Sequence, residues 1–200
     1  MTDVRCLTLF SGTHSVSKAL AELKVPTSEV TLDFAEPADL SMDILEFDYT
    51  MFKPRAFNFI WASPDCTMCS KARTCGGPRK LDYADSLVLR TLEIIDWLQP
   101  ECYVIENPES GLLKTRNFML LRPYYVADYC MYGLMYRKRT AFWSNMPLQL
   151  KTCCSDRPCP WLLHGKHVTG LQDQQHGKGR GAMPIPLLVS MFEQALNQLA

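Results

Sequence analysis

The feature of this sequence that most limits its fold is an alternation of short apolar runs with amphipathic segments in its first half. Apolar runs of strand length cover Val4 to Phe10, Ala56 to Ala62 and Cys102 to Ile105. Between the last two runs, Asp82 to Leu98 repeats apolar residues at helical spacing. Apolar strands separated by helices are typical of a parallel sheet with helices on both faces. The sequence therefore predicts an α/β fold with a mostly parallel, twisted, doubly wound sheet.

Similar patterns predict the remaining elements and the domain organisation. Glu29 to Phe34 predicts a second strand, and Tyr124 to Cys130 with Arg139 to Trp143 predicts a late hairpin. Ile185 to Leu199 repeats apolar residues at helical spacing and is expected to pack back on the core. We therefore expect a core over residues 1–144, a small irregular insert over residues 145–182 and a final helix over residues 183–200.

The charge balance and the cysteine content limit which partners the chain can bind and which cellular compartment suits it. The chain has 21 basic and 21 acidic side chains, so binding of nucleic acid would depend on local basic patches. Charges interrupt every apolar stretch well before about 18 residues, and no membrane span is expected. Nine cysteines, with an N-terminus that lacks the pattern of a signal peptide, favour free thiols in a reducing intracellular compartment.

Two polar motifs follow neighbouring predicted strands. Ser63-Pro64-Asp65-Cys66 follows one strand, and Glu106-Asn107-Pro108 ends the next. Cys66 precedes a loop rich in basic residues, which favours a thiolate, although a free cysteine is commonly just a small buried apolar residue. Glu106 either faces a ligand or pairs with a structural arginine. A thiol and a carboxyl group at adjacent strand ends suggest nucleophilic catalysis with acid assistance.

A second group of residues is suited to a nucleotide-like ligand. Phe10-Ser11-Gly12-Thr13 follows the first strand and is either a ligand loop or an ordinary strand-to-helix turn. Asp33 ends the second strand, where a carboxylate can accept hydrogen bonds from ribose hydroxyls. Asp43 and Ile44 could add polar and apolar contacts to an adenine. Either aspartate taken alone is more simply interpreted as a solvated loop carboxylate.

Together these motifs resemble the DNA (cytosine-5)-methyltransferase family, especially the compact versions of bacteriophages and large DNA viruses. The matching segments occur in the family's order, and they are Phe10-Ser11-Gly12-Thr13, Asp33, Asp43-Ile44, Ser63-Pro64-Asp65-Cys66, Glu106-Asn107-Pro108 and Tyr136-Arg137-Lys138-Arg139-Thr140. The resemblance implies a Rossmann-like methyltransferase fold with S-adenosylmethionine as cofactor and DNA as partner. We expect a monomer in the cytoplasm, or in the host nucleus if the protein is viral.

The resemblance also implies a role for each matching residue. Cys66 would add to the 6-carbon of a flipped cytosine, and Glu106 would protonate its 3-nitrogen. Arg137 or Arg139 would hold the base carbonyl or the carboxylate, and Asn107 would fix the backbone around the acid. The residues implied in cofactor binding are Phe10, Ser11, Gly12, Thr13, Asp33, Asp43, Ile44 and Pro64.

Residues 145–182 are interpreted as a minimal target-recognition insert. The basic side chains expected to contact nucleic acid, each of which could instead be simply solvated, are Lys71, Arg73, Arg79, Lys80, Lys138, Lys178 and Arg180. The insert also carries residue types that can bind zinc, namely Cys153, Cys154, Cys159, His164 and His167. Their spacing lacks paired CxxC motifs, so the sequence favours no metal site and leaves these five residues as weak zinc candidates.

Three positions depart from the family pattern and keep other functions open. Asp65 stands where the family commonly has proline before the nucleophile, which is expected to raise the thiol pKa. His14 replaces a glycine of the first motif, and Met183 replaces an asparagine before Pro184. The alternatives are an RNA cytosine-5 methyltransferase and a catalytically impaired relic that binds DNA.

Overall fold

The computed structural model describes residues 3–70, 77–153, 158–163, 166–169 and 181–199. The strands are β1 Val4–Leu9, β2 Thr27–Asp33, β3 Leu40–Ser41, β4 Phe59–Ala62, β5 Cys102–Pro108, β6 Tyr124–Asp128, β7 Arg139–Ser144, β8 Leu162–Leu163 and β9 Lys166–His167. The α-helices are α1 Ser15–Ala21, α2 Leu81–Leu98 and α3 Ile185–Gln198.

Strands β1 to β7 form one sheet in the order β3-β2-β1-β4-β5-β7-β6. Strands β1 to β5 are parallel, whereas β7 runs antiparallel to both β5 and β6. This arrangement confirms the predicted mostly parallel α/β sheet and the late hairpin. The strand order reverses at β1, because β2 and β3 lie on one side of it and β4 and β5 on the other. Open α/β sheets bind their ligands beyond the carboxyl ends of the strands at such a reversal.

Helices cover both faces of the sheet because side chains alternate along each buried strand. Leu7 and Leu9 of β1 face the cluster that contains α2. Cys6 faces the opposite cluster, which contains α1 and α3. Phe192 of α3 packs against Phe59 of β4 with ring centroids 4.6 Å apart. The last helix is thereby fixed to the sheet beside α1.

Helix α2 leads back from the carboxyl edge of the sheet to the start of β5. Its buried face includes Leu87, Ile94 and Leu98, as the apolar spacing predicts. The helix ends at Gln99, which has left-handed backbone (φ 47°) and donates its N–H to the carbonyl of Ile95. Pro100 follows. Among the described residues, no helix combines the length and hydropathy needed to cross a bilayer.

The described residues of the insert contain little regular structure. Within its described residues, the regular elements are β8 and β9, which pair antiparallel with Leu162 opposite His167. The division into a core over residues 1–144, an insert over residues 145–182 and a final helix over residues 183–200 stays a prediction.

Candidate active site

A cavity of about 430 Å³ lies beyond the carboxyl ends of β1, β2 and β4. Its lining contains the predicted ligand residues Phe10, Gly12, Asp33, Asp43 and Ile44. Ser63 and Asp65, which flank the predicted nucleophile, also line it. Of the other described residues predicted to bind a cofactor, Ser11, Thr13 and Pro64 are not part of the lining. The cavity therefore connects residues 10–13 after β1, which we term the ligand loop, with residues 63–70 after β4, which we term the nucleophile loop.

The turn between β1 and α1 has an unusual backbone. Phe10, Gly12 and His14 have φ values of 59°, 50° and 55°, which lie in the left-handed region. Glycine adopts this region freely, whereas Phe10 and His14 are strained by their Cβ atoms. Strain of this kind is common where a backbone holds a ligand. The left-handed conformation at position 14 also explains why a glycine, which the resemblance implies here, suits the fold.

The carboxylate of Asp33 joins this turn to β2. Its Oδ2 accepts the N–H of Gly12 at 2.8 Å, and its Oδ1 accepts the N–H groups of Ala35 at 2.8 Å and Glu36 at 3.0 Å. The side chain is 9% exposed. Asp33 therefore organises the ligand loop, a structural role that the sequence did not predict. A carboxylate oxygen has two acceptor directions, so Oδ2 can still accept one ligand hydroxyl.

Two further features of the cavity region suit a nucleoside ligand. Phe34 lines the cavity with its side chain 79% exposed, a position from which an aromatic ring can stack on a base. Ser11 carries a buried hydroxyl that has no hydrogen-bond partner. Sequence reasoning did not include Phe34 as a site residue. Its signal was an aromatic residue directly after the acidic end of a predicted strand.

Local hydrogen bonds shape the loop that carries Cys66. Asp65 accepts the N–H of Thr67 at 2.9 Å and its hydroxyl at 2.6 Å, forming a tight turn. The carbonyl of Cys66 accepts the N–H of Ser70 at 2.7 Å. Arg79 donates to the carbonyl of Ser70 at 2.9 Å. These bonds fix the backbone around a half-buried thiol.

The electrostatic surroundings of Cys66 oppose its ionisation. Burial raises the pKa of the thiol to about 11, and the negative charges of Glu106 and Asp65 act in the same direction. Lys138 opposes them by lowering the pKa. The predicted effect of Asp65 is therefore present, but burial and Glu106 contribute more. The offsetting cation is Lys138, which the sequence analysis had assigned to nucleic-acid contact.

Glu106 is 8% exposed at the carboxyl end of β5. Its Oε1 accepts the hydroxyl of Tyr129 at 3.4 Å, and the Nζ of Lys138 lies 3.8 Å away. The same ammonium group lies 5.0 Å from the ring centroid of Tyr129. Burial and the charge of Glu106 raise the pKa of Tyr129, so its hydroxyl remains a hydrogen-bond donor. Glu106 is thus held between a phenol and an ammonium group.

Asn107 connects β5, which carries Glu106, to the loop after β4, which carries Cys66. Its Nδ2 donates to the carbonyl of Pro64 at 3.1 Å, and its Oδ1 is buried without a hydrogen-bond partner. Pro64 lies two residues before Cys66. The amide of Asn107 therefore sets the separation between the strand ends that carry the thiol and the carboxyl group.

The basic motif is arranged differently from the expectation for Arg137 and Arg139. The Nε of Arg137 donates to Asp128 at 2.9 Å, and the guanidinium of Arg139 lies 3.8 Å from the same carboxylate. Asp128 is fully buried and accounts for this orientation. Because extended residues alternate in direction, Lys138 faces the opposite way, toward Glu106.

The other predicted residues are dispersed. Arg79 is half-buried against the nucleophile loop, and Lys80 is exposed at the start of α2. Predicted residues outside the described ranges are Lys71, Arg73, Cys154, His164, Lys178 and Arg180. Among the zinc-capable candidates, Cys153, Cys159 and His167 come together with Cys130, which the sequence analysis had not included.

Comparisons with known proteins identify the family and the fold of the chain. The chain is 42% identical to the Frog virus 3 (isolate Goorha) protein named "Probable DNA (cytosine-5)-methyltransferase", over 78% of each sequence. No protein-family model matches the chain. Its fold is similar to that of the Entamoeba histolytica methyltransferase EhMeth, with a TM-score of 0.58 and 14% identity over 75% of this chain and 57% of that one.

The fold is also similar to a structure described as a DNA modification methyltransferase encoded within a prophage of E. coli, with a TM-score of 0.52 and 15% identity. That match covers 70% of this chain and 46% of the prophage protein, so the chain spans about half of these solved structures. The two structures support the fold, and the viral relative supports the family. This chain belongs to the DNA (cytosine-5)-methyltransferase family.

Proposed function

We propose that this protein transfers a methyl group from S-adenosylmethionine to the 5-carbon of cytosine in DNA. The observation that carries the proposal is the parallel arrangement of β1, β2, β4 and β5, which brings the Cys66 loop, Glu106 and the ligand cavity to one edge of the sheet. The name of the viral relative supports the same reaction.

The residues around the cavity fit the cofactor. Phe34 offers a face for the adenine, Asp33 an acceptor for a ribose hydroxyl, and Ser11 an unused buried hydroxyl. Ile44 adds a buried apolar contact. When bound, S-adenosylmethionine supplies an electrophilic methyl group. The residues of this chain orient that group and activate the base.

Cytosine needs activation because its 5-carbon is a weak nucleophile. Addition of the Cys66 thiolate to the 6-carbon places electron density on the ring, and a proton from the Glu106 carboxyl group to the 3-nitrogen neutralises it. Lys138 promotes the thiolate, and Tyr129 orients the carboxyl group. Loss of the 5-carbon proton to solvent and departure of the Cys66 thiolate then restore the aromatic ring, and the 3-nitrogen returns its proton to Glu106. The base must first be flipped out of a duplex.

We further propose that the protein acts as a monomer in a reducing intracellular compartment. The described cysteines, which support a reducing environment, are all free thiols. Contacts to DNA phosphates are assigned to exposed basic side chains such as Lys80.

The test is transfer of tritiated methyl from S-adenosylmethionine to duplex DNA, single-stranded DNA and transfer RNA, followed by bisulfite sequencing. We expect label in cytosines of duplex DNA, loss of label in Cys66→Ser, and retention in the matched control Cys69→Ser. Binding of the cofactor is expected to survive Cys66→Ser.

Other outcomes would identify a different function. Label in transfer RNA and none in DNA would establish the RNA enzyme. Cofactor binding without label on any substrate would establish a catalytically impaired relic. Loss of label in Cys69→Ser with full activity in Cys66→Ser would move the nucleophile to the other cysteine.

A further inference from the structure

Four side chains with metal-binding atoms meet beside the late hairpin. Cys130 lies in the turn directly after β6, Cys153 follows β7, Cys159 precedes β8 and His167 ends β9. One ligand atom from each lies within 4.8 Å of all the others. The Sγ of Cys153 and the Nε2 of His167 are 3.8 Å apart. This cluster, which we term the Cys3His cluster, lies outside the proposed active site.

We propose that the Cys3His cluster binds a structural zinc ion. Three thiolates and one imidazole are a common ligand set of closed, tetrahedral zinc sites. Zinc–sulfur bonds of about 2.3 Å place tetrahedral ligand atoms about 3.8 Å apart. The observed separations reach this spacing for Cys153 and His167 and exceed it by at most 1.0 Å elsewhere. Soft thiolate ligands favour zinc over magnesium or calcium.

Simple hydrophobic burial does not account well for the cluster. Its three thiols form a small apolar group of their own, with Met131, Trp161 and Leu162 packed around it, apart from the two main cores. The insert otherwise contributes only the short pair β8 and β9 as regular structure in its described residues. A segment with so little core commonly needs a metal or a disulfide to hold one conformation. The cysteines of the cluster are free thiols, which are suitable metal ligands.

Backbone hydrogen bonds already position the ligands. The N–H of Cys153 donates to Oδ2 of Asp128 at 2.8 Å, and the carbonyl of Cys159 accepts the N–H of Leu162 at 3.2 Å. Because Leu162 pairs with His167, the turn after Cys159 also places the histidine. The site thus has supporting contacts of the kind that orient metal ligands.

The cluster is also joined to the residues around Glu106. Asp128, which accepts from Cys153, binds Arg137 of the basic motif. Tyr129 is adjacent to Cys130 and donates to Glu106. A zinc ion here would fix the insert to the segment that contains Asp128 and Tyr129 and that orients the carboxyl group of Glu106.

The metal content of the purified full-length protein tests the proposal without reference to methyl transfer. We expect about one zinc ion per chain by inductively coupled plasma mass spectrometry. After zinc is replaced by cobalt, we expect the visible absorption of tetrahedral cobalt with thiolate ligands. Substoichiometric zinc together with a cobalt spectrum that lacks these bands would overturn the proposal.

Variants separate ligation from a general effect on folding. Cys159→Ser is expected to weaken metal affinity by more than about tenfold, whereas Cys69→Ser, a buried cysteine outside the cluster, should leave it unchanged. His167→Cys should retain the metal with a cobalt spectrum shifted toward four thiolates, and His167→Phe should lose it. Equal metal content in His167→Phe and the unmodified protein, or a disulfide between Cys153 and Cys159 after purification under reducing conditions, would contradict the proposed site.

Discussion

Removing the charges of Lys138 and Glu106 should change the reactivity of Cys66 in opposite directions. Lys138 lowers the pKa of the thiol, and Glu106 raises it. We therefore expect Lys138→Met to slow alkylation of Cys66 and Glu106→Gln to accelerate it. This prediction depends only on the charges around the thiol, so it tests the site geometry independently of methyl transfer.

The size of the effect follows from the pKa of the thiol and from the usual effect of one neighbouring charge on a pKa. With a pKa of about 11, about one Cys66 thiol in a thousand is ionised at pH 8. A charge within about 4–6 Å of an ionisable group commonly shifts its pKa by about 1–3 units. Lys138 and Glu106 act on Cys66 with opposite signs, and we expect about one unit from each. Each substitution should therefore change the thiolate population about tenfold.

The assay is the rate of reaction with iodoacetamide, followed at the peptide that contains Cys66 by mass spectrometry. Between pH 7 and 10 the rate for the unmodified protein should rise about tenfold per pH unit, because the pH stays below the thiol pKa. Lys138→Arg keeps the charge and serves as the matched control. Circular dichroism confirms that each variant is folded.

Two results would contradict the proposed action of these charges on Cys66. A change of the same sign in Lys138→Met and Glu106→Gln would show that their charges do not act on Cys66 as the geometry requires. A tenfold slower reaction in Arg139→Met with no change in Lys138→Met would show that the arginine, and not the lysine, is the cation that acts on the thiol.

Four other perturbations test separate parts of the structure. Asn107→Ala should lower the single-turnover rate about tenfold or more with little change in cofactor affinity, because the two strand ends lose their link; an unchanged rate would contradict that role. Asp33→Ala should destabilise the protein by about 2–3 kcal/mol in urea unfolding, since three backbone N–H groups lose their acceptor, and a loss below about 0.5 kcal/mol would be inconsistent with this. His14→Gly should be neutral or stabilising by up to about 1 kcal/mol in the same experiment, because its φ is 55°; clear destabilisation would argue against that backbone. Phe34→Ala should weaken cofactor binding about tenfold in calorimetry while Phe34→Trp retains it, and equal affinities would exclude stacking.

The sequence was sufficient for the sheet and for the order of the motifs. Apolar runs such as Val4 to Phe10 and Ala56 to Ala62 are long enough for strands, and the helical spacing between later runs forces parallel connections. Parallel strands bring their carboxyl ends to one edge, so residues that follow different strands, such as Asp33 and Cys66, could be assigned to one site. These inferences depend on local periodicity, which a single sequence carries.

Side-chain partners depended on the tertiary structure. The basic motif contains Arg137, Lys138 and Arg139 in succession, and nothing local shows which of them faces Glu106. That choice follows from the buried carboxylate of Asp128, which attracts both arginines and leaves the lysine on the opposite side. The same holds for Asp33, whose Oδ2 accepts the N–H of Gly12 in a turn that is distant in sequence.

The Cys3His cluster shows most clearly that side-chain partners cannot be inferred from local sequence. The sequence alone determined that thiols and imidazoles are concentrated near the insert, but without paired CxxC motifs these residues were only weak zinc candidates. Cys130 belongs to the end of the sheet and is separated from Cys153 by all of β7. Only the folding of β6 against β7 brings it to the other three residues, because a ligand set built from distant segments has no local spacing to recognise.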